Sequence, residues 1–155
     1  MKKINVVLLC PEIPQNTGNI SRTCAVTDTA LHIIRPTGFE ISDRTLKRAG
    51  LDYWDKLDVS YYDSYEEFIN SHSGANIYYF SSHAKRSSFD VKFEDEVYLV
   101  FGRESCGLPK EILDKNEERT LRIPMRDDVR CLNLSNSVAI ALYEVLRQKG
   151  FPGLS

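Results

Sequence analysis

Six short apolar segments alternate along the chain with segments of helical periodicity, and this alternation constrains the fold more than any other feature. The first apolar segment, residues 4–10, is continuous and rich in β-branched side chains, as expected for a strand buried on both faces. Further strands are predicted at residues 31–34, 59–62, 77–80, 97–101 and 121–123. Leu134, Val138, Leu142 and Leu146 recur every fourth residue and predict a long helix that ends near Gly150. This alternation predicts an α/β domain with a mainly parallel sheet and helices on both of its faces.

Four other helices are predicted between these strands. The first spans residues 16–29, with Asn16 or Thr17 as its N-cap, and the second spans residues 43–49. Ser64, with Glu67 three residues later, forms a capping box that opens the third helix. Pro109 suits the first turn of the fourth, which runs to about residue 115. Because such sheets bind ligands at the carboxyl ends of their strands, we expect function in the loops after residues 10, 80, 101 and 123.

The length of the chain favours a single domain, and its net charge argues against binding of nucleic acid through overall positive charge. A chain of 155 residues suits a single domain over residues 1–155, and its net charge of −2 excludes a histone-like protein. Residues 1–50 carry a balance of +3, residues 51–100 a balance of −6, and residues 101–155 a balance of +1. An anionic partner would therefore meet the two ends of the chain, although a random surface distribution explains the same pattern.

The spacing of cysteines and the N-terminal segment indicate the compartment. The four cysteines form no CxxC pair and no two histidines have metal-ligand spacing, so we expect no metal site. The apolar run at residues 4–10 is too short for the core of a signal peptide or for a membrane span. We expect a cytoplasmic protein with reduced thiols and no membrane partner.

The loop after the first strand combines two prolines with a cluster of polar side chains. Gly18 permits close backbone approach, and the spacing of Asn16, Asn19 and Arg22 places them along one helical face. A helix N-terminus with an arginine one turn in is suited to bind an anion. Helix capping by Asn16 and a surface ion pair of Arg22 would explain the same residues, so both interpretations stay open.

Two later loops are also unusual. Gly102 and Gly107 would let the backbone wrap around a flat ligand, but Leu108 and Pro109 stand where a phosphate-binding P-loop needs lysine and a hydroxyl. Two glycine turns that only join strand to helix would explain the same loop. Polar side chains crowd the start of the last helix at positions 133, 135, 136 and 137, and capping accounts for one or two of them.

Together these segments resemble the three motifs of the SPOUT class of RNA methyltransferases, in its SpoU-like branch. Residues 11–14, 32–36 and 46–53 are more specifically similar to the subfamily that methylates the wobble position of tRNA. The similarity runs from residue 4 to about residue 153. The matching positions of the three motifs are, in order, Asn16, Gly18, Asn19 and Arg22; Gly102, Glu104, Gly107 and Leu108; and Ile123, Pro124, Met125, Leu132, Asn133 and Ser135.

The resemblance implies a fold and a cofactor that composition and periodicity do not reveal. It implies a deep trefoil knot in the C-terminal part, a homodimer, and S-adenosylmethionine held bent by the knot loops. The positions that would bind the cofactor are Phe80, Gly102, Ile123, Cys131, Leu132, Asn133 and Ser135. Cys131 stands where the family usually has serine, and a thiol is a poorer hydrogen-bond donor than a hydroxyl, so only backbone contacts there are expected to be preserved.

The resemblance also implies methyl transfer to a ribose 2′-hydroxyl of tRNA, at wobble nucleotide 34, as cytidine or modified uridine of tRNA-Leu. Asn16, Arg22 and Glu104 are the implied catalytic residues. Arginine stays protonated in proteins, so we expect Arg22 to grip a phosphate and stabilise the developing alkoxide instead of acting as a base. Glu104 has two open interpretations, as a catalytic acid or as a carboxylate that holds backbone N–H groups of the loop.

An anticodon stem-loop is a suitable RNA partner because unpaired bases are read by stacking and edge contacts, and no DNA partner is expected. Candidate RNA contacts besides Arg22 are Arg44, Lys47, Arg48, Lys85, Arg86, Arg103, Arg126 and Arg130.

Three alternatives remain open from the sequence. The chain could act on another tRNA position or on ribosomal RNA, although its start at the first strand favours a minimal tRNA enzyme. It could bind RNA without methylating it. A flavodoxin-like flavin binder is the third, and it predicts a Ser/Thr-rich first loop that residues 11–15 do not provide.

Overall fold

A computed structural model describes residues 2–42 and 54–155, and in them seven strands and four α-helices. The strands are β1 Ile4–Leu9, β2 Ala30–Ile34, β3 Val59–Tyr62, β4 Ile77–Phe80, β5 Arg86–Ser87, β6 Val97–Phe101 and β7 Thr120–Arg122. The helices are α1 Pro14–Val26, α2 Tyr65–Ser71, α3 Lys110–Lys115 and α4 Leu134–Gln148. Short 3-10 turns lie at Trp54–Lys56, Ser88–Asp90 and Glu117–Arg119.

All seven strands form one parallel sheet in the order β3-β2-β1-β6-β4-β7-β5. The predicted α/β class is confirmed, and each of the six predicted strands is present within one residue at either end. The sequence did not predict β5, because this two-residue edge strand has a polar sequence and no apolar run. The predicted helix at residues 43–49 lies outside the described residues.

Side chains alternate between two cores, one on each face of the sheet. In β1, Val6 and Leu8 pack with the apolar stripe of α4 and with α1, whereas Val7 and Leu9 pack toward α2 and α3. Three residues of the predicted stripe of α4, Val138, Leu142 and Leu146, are at 1% exposure or less. The fourth, Leu134, is partly buried against the same core. The helices therefore flank both faces and leave the carboxyl edges of the strands to their loops.

A polar chain crosses the second of these cores. The Nδ2–H of Asn5 donates to the backbone oxygen of Val97, at 3.2 Å, which directs the Asn5 Oδ1 toward His32 Nε2 at 2.9 Å. The Nε2 of His32 must then carry the proton, so its Nδ1 accepts from the Tyr62 hydroxyl at 2.9 Å. The Tyr62 oxygen in turn accepts from His72 Nε2–H at 2.9 Å. This arrangement satisfies both buried ring nitrogens of His32 only while the ring is neutral.

The N-termini of α1 and α2 are capped in different ways. The predicted capping box of α2 is confirmed in its first half, because the Ser64 side chain accepts from Glu67 N–H at 3.1 Å. The Glu67 carboxylate binds the N–H of Asp63 instead of that of Ser64. The predicted N-cap of α1 at Asn16 or Thr17 is wrong, since the helix begins at Pro14 after Ile13 and has no side-chain cap of its own. Proline at the first helical position sets the required φ, and a carboxylate from another loop binds the N–H groups of the two residues that precede the helix, as described below.

None of the described helices combines the length and the apolar character needed to cross a bilayer. In residues 2–42 and 54–155, no three His, Cys, Asp or Glu side chains are grouped so that they could hold a metal ion.

Candidate active site

The carboxyl ends of four neighbouring strands, β1, β6, β4 and β7, bring the predicted functional loops to one edge of the sheet. The loops after β4, β6 and β7 enclose a cavity of about 320 Å³ there. This volume falls at the lower end of the range for small-molecule sites. Its floor is apolar, because the rings of Phe80 and Phe101 stack at 4.7 Å between centroids with 14° between their planes.

Five of the seven positions predicted for the cofactor line this cavity. They are Phe80, Gly102, Ile123, Cys131 and Leu132. Met125 and Ser137, which the sequence analysis places in the third unusual segment, also line the cavity. Ser81, Ser82 and His83 line it as well and were not predicted, because isolated polar residues in a loop carry no periodic signal. That these residues bind a cofactor stays a prediction.

The other two predicted cofactor positions do not line the cavity and instead organise the start of α4. Asn133 is the N-cap of α4, and its Oδ1 accepts from the N–H of Ser135 at 2.9 Å and of Asn136 at 3.3 Å. The Ser135 hydroxyl donates to the same oxygen at 2.5 Å. The Asn133 Nδ2–H then donates to Asn16 Oδ1 at 3.0 Å, which joins the third motif to the first. Asn133 therefore has a second role besides capping α4, which is to hold the Asn16 side chain.

The loop after β6 folds back tightly on itself. The N–H of Gly107 donates to the backbone oxygen of Arg103 at 2.9 Å, and Gly107 has a φ of +69°, which favours glycine. Gly102 is buried beneath this turn, so a Cβ added to it would lie 2.2 Å from the Gly107 carbonyl carbon and 2.3 Å from the Leu108 nitrogen. Gly102 is therefore required because no side chain fits beneath the turn, and Gly107 because its φ is positive.

Glu104 holds the loop that precedes α1. Its carboxylate accepts from the N–H of Glu12, at 3.1 and 3.2 Å, and of Ile13, at 2.5 Å. A negative charge at this end of a helix is favourable because the unpaired N–H groups there carry partial positive charge. The alternative offered above had Glu104 hold N–H groups of its own loop, whereas the N–H groups that it holds belong to the loop after β1. A catalytic role of Glu104 stays a prediction.

Glu12 returns the same interaction in the opposite direction. Its Oε1 accepts from the N–H of Ser105 at 3.0 Å and from the Ser105 hydroxyl at 2.7 Å. These hydrogen bonds hold the pKa of Glu12 below its ordinary value, and the charge of Arg103 acts in the same direction. Local sequence does not predict this exchange, because Glu12 and Ser105 are 93 positions apart.

The predicted catalytic residues on α1 differ in exposure. Asn16 is buried, with 5% exposure, and its side chain is oriented by Asn133. Arg22 lies further along the same helix with its side chain exposed. The buried amide is thus held in place by the site, while the guanidinium remains accessible to a large substrate.

The predicted RNA contacts fall into three groups. Lys85 and Arg86 line a second cavity of about 1070 Å³, which shares Ser81 and His83 with the first, and Arg103 lines the first. Arg130 is exposed, whereas Arg126 is paired with Asp128 at 2.5 Å. Arg44, Lys47 and Arg48 lie outside the described residues.

A family model described as the SpoU rRNA methylase family matches residues 3–143. The chain belongs to this family. A SpoU methylase was expected from the three motifs, and both the match and the common edge at which the motif loops meet agree with that expectation.

Relatives of this SpoU methylase carry narrower names. A protein of Escherichia coli strain K12 named tRNA (cytidine(34)-2′-O)-methyltransferase is 44% identical over 97% of this chain and 96% of its own length. A relative from Geobacillus stearothermophilus, provisionally named for the same activity, is 54% identical over 98% of this chain and 99% of its own. A solved structure titled for the 2-OH methylation of C/U34 on tRNA has a TM-score of 0.89 and 45% identity, and covers 95% of this chain and 96% of its own.

Proposed function

We propose that this protein transfers a methyl group from S-adenosylmethionine to the ribose 2′-hydroxyl of nucleotide 34 of a tRNA, with tRNA-Leu as substrate. The observation that carries the proposal is that the second and third motifs meet at one cavity and are both hydrogen-bonded to the first, through Glu104 to the loop before α1 and through Asn133 to Asn16. Relatives of 44–54% identity, matched over nearly the whole chain, are named for that reaction.

The cavity fits the cofactor in its donor set as well as its position. Phe80, Ile123 and Leu132 supply apolar walls for a flat adenine, and the loop at residues 102–108 supplies backbone groups at close range. Cys131 lines the same cavity, and its contacts to the cofactor are made by its backbone, because a thiol is a poorer hydrogen-bond donor than the usual serine hydroxyl. When bound, the cofactor supplies a methyl group already activated by the positive charge of its sulfonium.

The residues of this chain position the ribose and stabilise charge. Arg22 binds the neighbouring phosphate bidentately and stabilises the alkoxide that develops as the 2′-hydroxyl loses its proton. Asn16, held by Asn133, orients the reacting ribose, and Glu104 keeps the start of α1 in place. In-line approach to about 3–3.5 Å then needs no further covalent chemistry from the protein.

The RNA surface comprises cations at the cavity rim and in the adjoining loop. Lys85, Arg86, Arg103 and Arg130 bind phosphates of the anticodon stem-loop, and Arg44, Lys47 and Arg48 extend that surface. Arg126 contributes once its pairing with Asp128 is exchanged for a phosphate. DNA lacks the accepting hydroxyl and is not a substrate.

The finer architecture belongs to the same proposal. Residues 1–155 form one domain, its C-terminal part is threaded as a deep trefoil knot, and two copies associate in the cytoplasm. Exposed apolar side chains at Ile140 and Tyr143 of α4 and at Phe151, at 38%, 45% and 39%, support association of two copies. Sedimentation analysis at micromolar concentration tests it, with a dimer as the expected species and a monomer as the contrary one.

The decisive experiment is incubation of the purified protein with methyl-labelled S-adenosylmethionine and a tRNA pool from cells that lack wobble 2′-O-methylation. Mass-spectrometric mapping of nuclease digests should place the label on the ribose of nucleotide 34 of tRNA-Leu. Label on a base, or on ribosomal RNA alone, would contradict the proposal.

Arg22→Lys keeps the positive charge and loses the planar fork, so it tests how Arg22 acts. We expect kcat to fall by about 10- to 100-fold, with a smaller change in the KM for tRNA, because bidentate contacts to charged groups are worth about 1.5–3 kcal/mol. Arg147→Lys is the matched control, since Arg147 lies in the last turn of α4 and pairs with Glu144. Wild-type turnover of Arg22→Lys would refute the bidentate role.

A further inference from the structure

Two glutamates in different loops exchange backbone hydrogen bonds across the site. The carboxylate of Glu104, in the loop after β6, accepts from Glu12 and Ile13, and the carboxylate of Glu12, in the loop after β1, accepts from Ser105. Each loop therefore supplies both an acceptor and donors to the other. We call this arrangement the reciprocal brace, and its members are Glu12, Ile13, Glu104 and Ser105.

The brace joins the cavity wall to the helix that carries the catalytic candidates. Residues 103–107 line the cavity directly, and residues 12 and 13 lead into α1, which has no side-chain cap of its own. Asn16 lies three residues beyond Ile13, so a shift of the approach loop moves the buried amide with it.

The approach loop is stiff and is held from its other side as well. Pro11 and Pro14 bracket it, and the N–H of Gly38 donates to the backbone oxygen of Pro11 at 2.9 Å. A Cβ added to Gly38 would lie 2.9 Å from the Cα of Glu12, so the two backbones are in close contact there. A segment held in this way passes a displacement at its end to α1 instead of absorbing it locally.

We propose that Glu12 is a positioning residue for methyl transfer, which acts through Ser105 and, with Glu104, fixes α1 relative to the cofactor-binding loop. The inference rests on the proposed methyl transfer at this site. Glu12 touches neither substrate nor cofactor in this role. Its contribution is to couple the order of residues 103–107 to the position of Asn16.

The variants Glu12→Ala, Glu12→Gln, Glu104→Ala and the double alanine variant test the brace. Glutamine keeps the Oε1 acceptor for Ser105 and loses only the charge, so it is the conservative rescue. Glu66→Gln is the matched control, because Glu66 is an exposed carboxylate in the first turn of α2, on a different helix. The readouts are kcat, KM for tRNA, and deuterium uptake of peptides that cover residues 11–16 and 102–108.

For Glu12→Ala we expect kcat to fall about tenfold, because misplacement of reacting groups by about 1 Å costs up to about 100-fold in rate. KM for tRNA should change by less than about twofold, and Glu12→Gln should stay within about threefold of wild type. Uptake should rise in both peptides for Glu12→Ala, since the loops are coupled. The fall in kcat of the double variant should be about as large as that of the more affected single variant, because Glu12 and Glu104 hold the same pair of loops together.

A lowered melting temperature with unchanged kcat would reduce Glu12 to a structural residue and overturn the inference. Losses that multiply in the double variant, equal losses for alanine and glutamine, or uptake confined to residues 102–108 would also overturn it. If wild-type protein transfers no methyl group to tRNA, the proposed function fails, whereas coupled deuterium uptake would still reveal the brace itself.

Discussion

Gly102→Ala is expected to weaken the binding of S-adenosylmethionine by at least about 100-fold while the chain still folds. The added Cβ would lie 2.2 Å from a backbone carbon of Gly107 and 2.3 Å from the nitrogen of Leu108, and backbone atoms cannot rotate away as a side chain does. The loop after β6 must therefore open. Overpacking of this kind typically costs about 1–3 kcal/mol of unfolding free energy, which a domain of this size tolerates, but the loop that wraps the ligand is lost.

Isothermal titration with S-adenosylmethionine measures the loss, and urea unfolding shows that the variant is folded. Gly74→Ala is the control, because Gly74 has a φ of +80° with no atom within 4 Å of an added Cβ, and it lies in the turn after α2. It should cost about 1–2 kcal/mol of stability through its left-handed backbone and leave cofactor binding unchanged. Undiminished binding by Gly102→Ala would show that the cavity does not depend on this close approach.

The arrangement of the fold was largely predictable because burial leaves a periodic signature. The strand at Val97–Phe101 is apolar throughout, as a strand covered on both faces must be, and α4 shows its buried stripe at every fourth residue. Arg86–Ser87 shows neither pattern, since an edge strand of two polar residues buries almost nothing. Its pairing with β7 depends on contacts between distant segments, which local sequence does not report.

Site residues could be predicted from the sequence where their role depends on the local segment alone. Gly102 and the loop ends at Phe80 and Ile123 could be placed from strand ends and motif spacing. Asn16 shows the limit, because an asparagine near a helix start normally caps it, whereas here Pro14 opens the helix earlier and Asn16 pairs with Asn133. The choice between the two roles is made by a residue 117 positions away.

Mild acid is expected to destabilise the protein through His32, well before its carboxylates are protonated. Burial, and then the nearby His72, lower the pKa of His32 to about 4, against an ordinary value of 6.5. Between pH 6.5 and pH 4, His32 binds a proton in the unfolded chain but not in the folded one. The contribution of His32 to the free energy of unfolding is therefore complete above about pH 6.5 and decreases as the pH falls toward 4. At 1.36 kcal/mol for each unit of pKa shift, the whole loss is about 3 kcal/mol, of which about 2 kcal/mol falls between pH 6.5 and pH 5.

The hydrogen bonds from Asn5 through His32 to Tyr62 explain why His32 stays neutral in the folded state. The Asn5 Oδ1 accepts from the Nε2–H of His32, and the Tyr62 hydroxyl donates to its Nδ1. A second proton on the ring, at Nδ1, would therefore point at the hydroxyl proton of Tyr62. The ring of Phe68 lies 5.9 Å away and offers no counter-charge. Asp58 favours the charged form but does not offset the burial.

Urea unfolding at pH 7 and pH 5 measures the effect in a window that lies above the ordinary pKa values of Asp and Glu. His32→Gln keeps a donor and an acceptor without a titrating ring, and it should flatten the pH dependence even though its stability at pH 7 is lower. His83→Gln is the control, because His83 is exposed, and it should retain the wild-type slope. The slope between the two pH values is decisive because any packing loss in His32→Gln is common to both, and an unchanged slope would assign acid sensitivity to other groups.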